Sequence, residues 1–232
     1  MNAHLIRTAR LTGLAYLGLA VFGMLGYLGV RQRLYVPDDA TATAANLVDH
    51  QTLAHVGTVA DLTVVVCQAL AAIGFLALYR RTHAVAAAAV AAFGLVNAVL
   101  ILVATVCTTA ALHVALAEPG TYAQPEQAVL LLHDLAERAW GLGGLFFGLW
   151  LVPMGLLVLR SGRQPRPLGW VLVAGGVGYV VSTYVTAVAP DQTLVATALT
   201  ALATVGEVWM VGYLLWRGVR TGARTTSAAM AG

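Results

Sequence analysis

Lysine is absent from this chain, and charged side chains of every kind make up only 10% of its 232 residues. A soluble domain carries about 25%, so this scarcity excludes an ordinary water-soluble fold. The longest polar run is about 20 residues, too little for a separate soluble domain. Cysteine is nearly missing, with only Cys67 and Cys107 present. Helical rise sets the two roughly 15 Å apart in depth, and a disulfide needs Cα atoms within about 7 Å. Two free, buried thiols are therefore expected. A phosphate-binding Walker loop is lacking, which argues against direct use of ATP. Gly-x-Ser-x-Gly and His-Glu-x-x-His are lacking too. Gly141-Leu-Gly143-Gly144 lies in an apolar helix rather than after a strand, so it is no dinucleotide fingerprint.

What the chain has is hydrophobic residues, 59% of the total. They form long apolar stretches at Ala9–Val30, Ala54–Tyr79, Ala84–Leu112, Val129–Leu159, Leu168–Val188 and Leu194–Trp216. Each reaches the ~20 residues that a helix needs to cross ~30 Å of hydrocarbon. The predicted fold is all-α, a polytopic bundle of six transmembrane spans forming one domain over 1–220, with a disordered cytoplasmic tail at 221–232. The first stretch follows Arg7 and Arg10 as a signal peptide would, but it exceeds the usual 7–15 apolar residues and reads as an uncleaved helix.

Arginine placement gives the orientation. Arg7 and Arg10 precede the first span, Arg80 and Arg81 follow the second, Arg160, Arg163 and Arg166 follow the fourth, and Arg217, Arg220 and Arg224 follow the sixth. Placing both termini in the cytoplasm puts all of these inside, as the positive-inside rule requires. No Asp or Glu occurs in those four segments. The basic pI of about 9.1 thus reflects membrane orientation and does not call for nucleic acid.

Pro37-Asp38-Asp39 ahead of helix formers predicts a short helix from about Ala40 to Thr52, with Leu47 and Val48 available to press it onto the outer interface. Spans three and four are too long for simple crossings. They are expected to project outward as a helical hairpin closed by Glu118-Pro-Gly-Thr-Tyr, with Pro153 kinking the fourth. Gly141, Gly144 and Gly148 form a small helix face. Packing within the chain is one use for it, and a homo-oligomer or another membrane protein is the other.

Glu207 is the sharpest candidate for chemistry. An acid at a helix centre costs about 2.5–3.5 kcal/mol on insertion scales, so it is expected to face the bundle interior. It is either a proton or cation site, or a neutral acid bonded to a Thr, Asn97 or a backbone carbonyl. Near the outer edge, Asp61 shares its level with His55, His113, His133, Asp134, Glu137 and Arg138. His133 with Glu137, and Asp134 with Arg138, are spaced four residues apart and stack on one helix surface. These residues form either an outward-opening polar chamber, with Arg138 neutralising Asp61 or Glu137, or a salt-bridge network that ties helices together. His55, His113 and His133 are acceptable zinc ligands, although they come from three different helices. No other cofactor is expected.

Several segments carry a resemblance: Ala-Arg-Leu-Thr-Gly-Leu-Ala-Tyr-Leu at Ala9–Leu17, Ala-Thr-Ala-Ala-Asn at Ala42–Asn46, and Gly206-Glu-Val-Trp. The most specific is Phe146-Phe-Gly-Leu-Trp-Leu-Val-Pro-Met-Gly-Leu-Leu-Val-Leu-Arg-Ser-Gly, continued by Pro167-Leu-Gly. In these the chain resembles the bacterial family called domain of unknown function 4386. The resemblance implies a bacterial integral membrane protein of about six helices, with acids where Asp61 and Glu207 stand. It implies no activity. The expected function is binding or transport of a small molecule or lipid with a proton-linked acidic site, in the bacterial plasma membrane. The alternatives are an accessory protein that binds a membrane partner through its helices, and a metal-dependent intramembrane enzyme.

Overall fold

A computed structural model describes residues 2–218; the expected tail at 221–232 lies outside them. Within the described residues the chain is helical, without a strand. The first helix comprises α1 (Asn2–Met24), a π-helical segment (Leu25–Arg31) and the single turn α2 (Gln32–Leu34). It is followed by α3 (Ala40–Asp49), α4 (Gln51–Tyr79), α5 (Ala84–Ala115), α6 (Pro125–Ser161), α7 (Arg166–Val188) and α8 (Thr193–Trp216). Six helices are long and apolar enough to cross a membrane. Their outward sides carry large apolar side chains such as Val59, Val66, Leu70, Ile73, Val205 and Val208. This is a multi-pass membrane protein.

Local signals set the boundaries. Asp39 caps α3 by accepting the Ala42 N–H at 2.8 Å, and His83 caps α5 by accepting that of Ala86 at 3.1 Å, each satisfying a donor that the first turn leaves free. Pro125 opens α6, where its missing N–H does no harm, and Gly162 ends it in the left-handed conformation. α6 runs on through Pro153. The first helix, however, does not stop at Val30 as its apolar run indicated. It continues to Leu34 and carries Arg31 inside the helix rather than in a loop.

Neighbouring helices pack in chain order, α1 on α4, α4 on α5, and so on to α7 on α8, and α8 returns to α1 to close a ring. Glycine sets the spacing. A Cβ on Gly148 would lie 2.6 Å from the Gly176 carbonyl oxygen, and one on Gly155 the same distance from that of Gly169. The glycine face of α6 is thus largely used inside the chain, Gly144 lying against Thr183 and Tyr179. Gly141 differs: nothing lies within 4 Å of where its Cβ would stand, and it faces outward.

That register also fixes relative heights. Val188, the last residue of α7, is level with about Ala136 of α6, so the first turns of α6 rise about 16 Å beyond α7. α5 rises with them. The taller side is roofed by α3, which packs on α6, α5 and α4. A second small core forms there from Val30, Leu34, Leu47, Ala54, Leu112 and Val129. Leu47 is buried in it and only Val48 remains exposed, so α3 presses its apolar side onto the protein rather than onto the bilayer. At the opposite end, Arg163 donates to the Leu78 carbonyl at 2.6 Å, and Tyr213 donates to the Arg163 carbonyl at 3.1 Å. The arginine-bearing ends of α4, α6 and α8 therefore share one side. Cys67 and Cys107 are free and half-buried.

Gly148→Ala should lower stability by about 1–3 kcal/mol through overpacking, read as a lower thermal unfolding midpoint in detergent. Gly141→Ala should stay within about 0.5 kcal/mol of the parent protein.

Candidate functional site

The π-helical segment is the local irregularity from which the site is built. Such segments are rare and tend to occur where a side chain must be re-aimed. Two glycines admit it. A Cβ on Gly26 would stand 3.1 Å from the Asp61 carboxylate, and one on Gly57 would stand 2.8 Å from Val30. Segment and α4 thus lie close together, and Arg31, at the end of the segment, enters the bundle instead of solvent.

Arg31 holds the site together. Its Nε lies 3.2 Å from Glu137 on α6, and one terminal nitrogen lies 3.7 Å from Asp61 on α4. Its guanidinium also rests on the Trp140 ring, 4.6 Å from the centroid. Its side chain is only 10% exposed. Nη1 nevertheless has no hydrogen-bond partner among the described residues. Arg31, Asp61 and His133 line a cavity of about 40 Å³ whose other walls include Leu47, Thr58, Thr108 and Leu112. The space is large enough for water-sized groups.

His133 is buried and has its Nδ1 3.2 Å from the Val129 carbonyl. A carbonyl only accepts, so Nδ1 carries the proton and Nε2 remains an acceptor in neutral imidazole. The ring stacks on Tyr35 at 5.7 Å, and Tyr35 donates to Asp134 at 2.6 Å. Burial and the Asp134 carboxylate together push the Tyr35 phenol up to about 12. Thr58 and Thr108 donate to the carbonyls of Ala54 and Thr105 on their own helices, which leaves their lone pairs free.

Glu207 belongs to a different place. It accepts a 2.7 Å hydrogen bond from Tyr16, which is 1% exposed and lies edge-on to Phe75 and tilted against Trp150. This bond crosses the α1–α8 seam that closes the ring. About 22 Å of helix separates Tyr16 from Arg31, and the buried apolar side chains of Leu19 and Val64 lie between those levels. Asp61 and Glu207 therefore do not share a chamber.

The family model described as "Domain of unknown function (DUF4386)" matches residues 11–218. The chain belongs to the DUF4386 family. No curated protein and no solved structure matches it. In this DUF4386 member, Asp61, His133 and Glu137 lie around one cation, which is not Arg138. Arg138 is exposed on the far side of α6, and Arg31 takes its place. The expected partner of Glu207 is corrected as well. Asn97 lies against Gly143 on α6, whereas Tyr16 bonds the acid. His55 and His113 are both exposed while His133 is buried, so the three zinc candidates are not brought together. No group of three or more His, Cys, Asp or Glu suited to a metal occurs among the described residues. Arg31 escaped notice because it stands one residue past the apolar run, next to Gln32 and Arg33. A signal was available in the glycines at 26 and 57, one opposite Asp61 and one opposite Val30.

Arg31→Gln should strand two carboxylates and destabilise the protein by about 3–5 kcal/mol. Adding Asp61→Asn should recover part of that loss, and a double-mutant cycle of unfolding midpoints measures the recovery.

Proposed function

We propose that this protein binds or transports a small polar molecule or lipid headgroup through the chamber around Arg31, with Glu207 as a separate proton-linked site. The supporting observation is Arg31 itself, nine-tenths buried and beside a cavity, with one nitrogen of its guanidinium unbonded. An unsatisfied charged donor in such a place is costly unless something occupies it. Depth supports the same reading. Asp61 stands about 27 Å along α4 from Tyr79, next to the arginine-bearing end, which is close to one hydrocarbon thickness. The chamber then lies at one membrane boundary and the arginines at the other. We further propose that the arginine end is cytoplasmic, that the raised hairpin of α5 and α6 faces outward, and that the membrane is a bacterial plasma membrane.

A native mass spectrum of the protein released from mild detergent tests this. A stoichiometric small molecule or lipid is expected on the parent protein and should be lost on Arg31→Gln. A bare chain between pH 5 and 8 overturns the reading. Glu207→Gln should keep the parent's unfolding midpoint and remove the pH dependence of occupancy; an unchanged dependence removes Glu207 from the proposal.

A further inference from the structure

The groups facing the cavity narrow the ligand further. Arg31 offers a charged donor, Nη1, with no partner. The other polar residues of the lining have acceptors to offer: the Asp61 carboxylate, His133 with its Nε2, and the hydroxyls of Thr58 and Thr108. Asp61 is itself poorly paired. Its 3.7 Å contact with Arg31 exceeds a hydrogen bond, whereas Glu137 sits closer, at 3.2 Å. One guanidinium thus faces two carboxylates, and the site carries an excess of negative charge. Asp134 adds none toward the cavity, being turned to the Tyr35 hydroxyl.

A simple anion would meet Arg31 Nη1 but be repelled by Asp61 and Glu137. A simple cation would satisfy the carboxylates but leave Nη1 unbonded beside it. Resting on the chamber reading above, we propose that the site takes a small zwitterion: an anionic oxygen group bonded to Arg31, and a primary ammonium bonded to Asp61 and His133. The ammonium supplies three donors and no acceptor, which matches the acceptors of Asp61 and His133 set in a mostly apolar lining. The small size of the cavity, about 40 Å³, favours a short spacer of one or two carbons between the two charges. Two sources carry this chemistry, a free amino-acid-like solute and the ethanolamine headgroup of a phospholipid. The chamber's level at the membrane boundary is compatible with both.

Isothermal titration of the detergent-purified full chain tests the idea, with glycine, phosphoethanolamine, acetate and methylammonium as probes at constant ionic strength. Glycine or phosphoethanolamine should bind at least ~10-fold more tightly than acetate or methylammonium, because each half forfeits a charge-assisted bond. Asp61→Asn and Arg31→Lys should each abolish that preference. Arg31→Lys keeps the positive charge but not the forked guanidinium, and so covers the case in which Arg31→Gln does not fold. A native mass spectrum after incubation with ethanolamine or choline phospholipid separates the sources, since choline has no N–H for Asp61. If neither zwitterion nor ethanolamine lipid binds but acetate or methylammonium does, the zwitterion is overturned and the chamber reading stands. If no probe or lipid binds to folded protein, both fall.

Discussion

One guanidinium governs the upper half of this molecule. Arg31 joins the first helix to α4 through Asp61 and to α6 through Glu137. Without it, the buried Asp61 carboxylate and the partly exposed Glu137 would both stand unpaired. The π-helical segment, the glycines at 26 and 57, and the Trp140 ring beneath the guanidinium all serve that placement. Each is a local departure from a plain apolar helix. None would be needed if the first span simply ended at Val30.

Below this level the protein is held by close contact. Lipid gives no hydrophobic push between helices, so the backbones approach through small residues and stay together by packing. The α6–α7 pair shows this most directly, with Gly148 on Gly176 and Gly155 on Gly169. The α1–α8 seam is different. It has fewer contacts and carries the Tyr16–Glu207 hydrogen bond. Polar pairing and small-residue packing thus divide the work of closing the ring.

Much of the architecture was legible in the sequence because hydrocarbon thickness imposes a length that apolar runs display openly. The spans, the long α5 and α6, and the acids at 61 and 207 all followed from that rule. The pairings were less legible. Arg138 looked like the cation because it stacks with Asp134 along one helix, but stacking does not say which side of α6 faces inward. Tyr16 looked like one aromatic among several, because only the fold brings residue 16 beside residue 207. A π turn leaves no periodic trace in seven residues, so the inward turn of Arg31 was hidden as well.

The bond between Tyr16 and Glu207 spans 191 positions of the chain. A ribosome delivers Tyr16 well before Glu207. Until α8 emerges, the hydroxyl of Tyr16 has no Glu207 to meet, and α1 rests on α4 and on Trp150 of α6. When α8 inserts, it brings a carboxyl group that bilayer lipid would accommodate poorly and that finds its donor already waiting. The later-made α8 is thus recognised by the earlier-made α1.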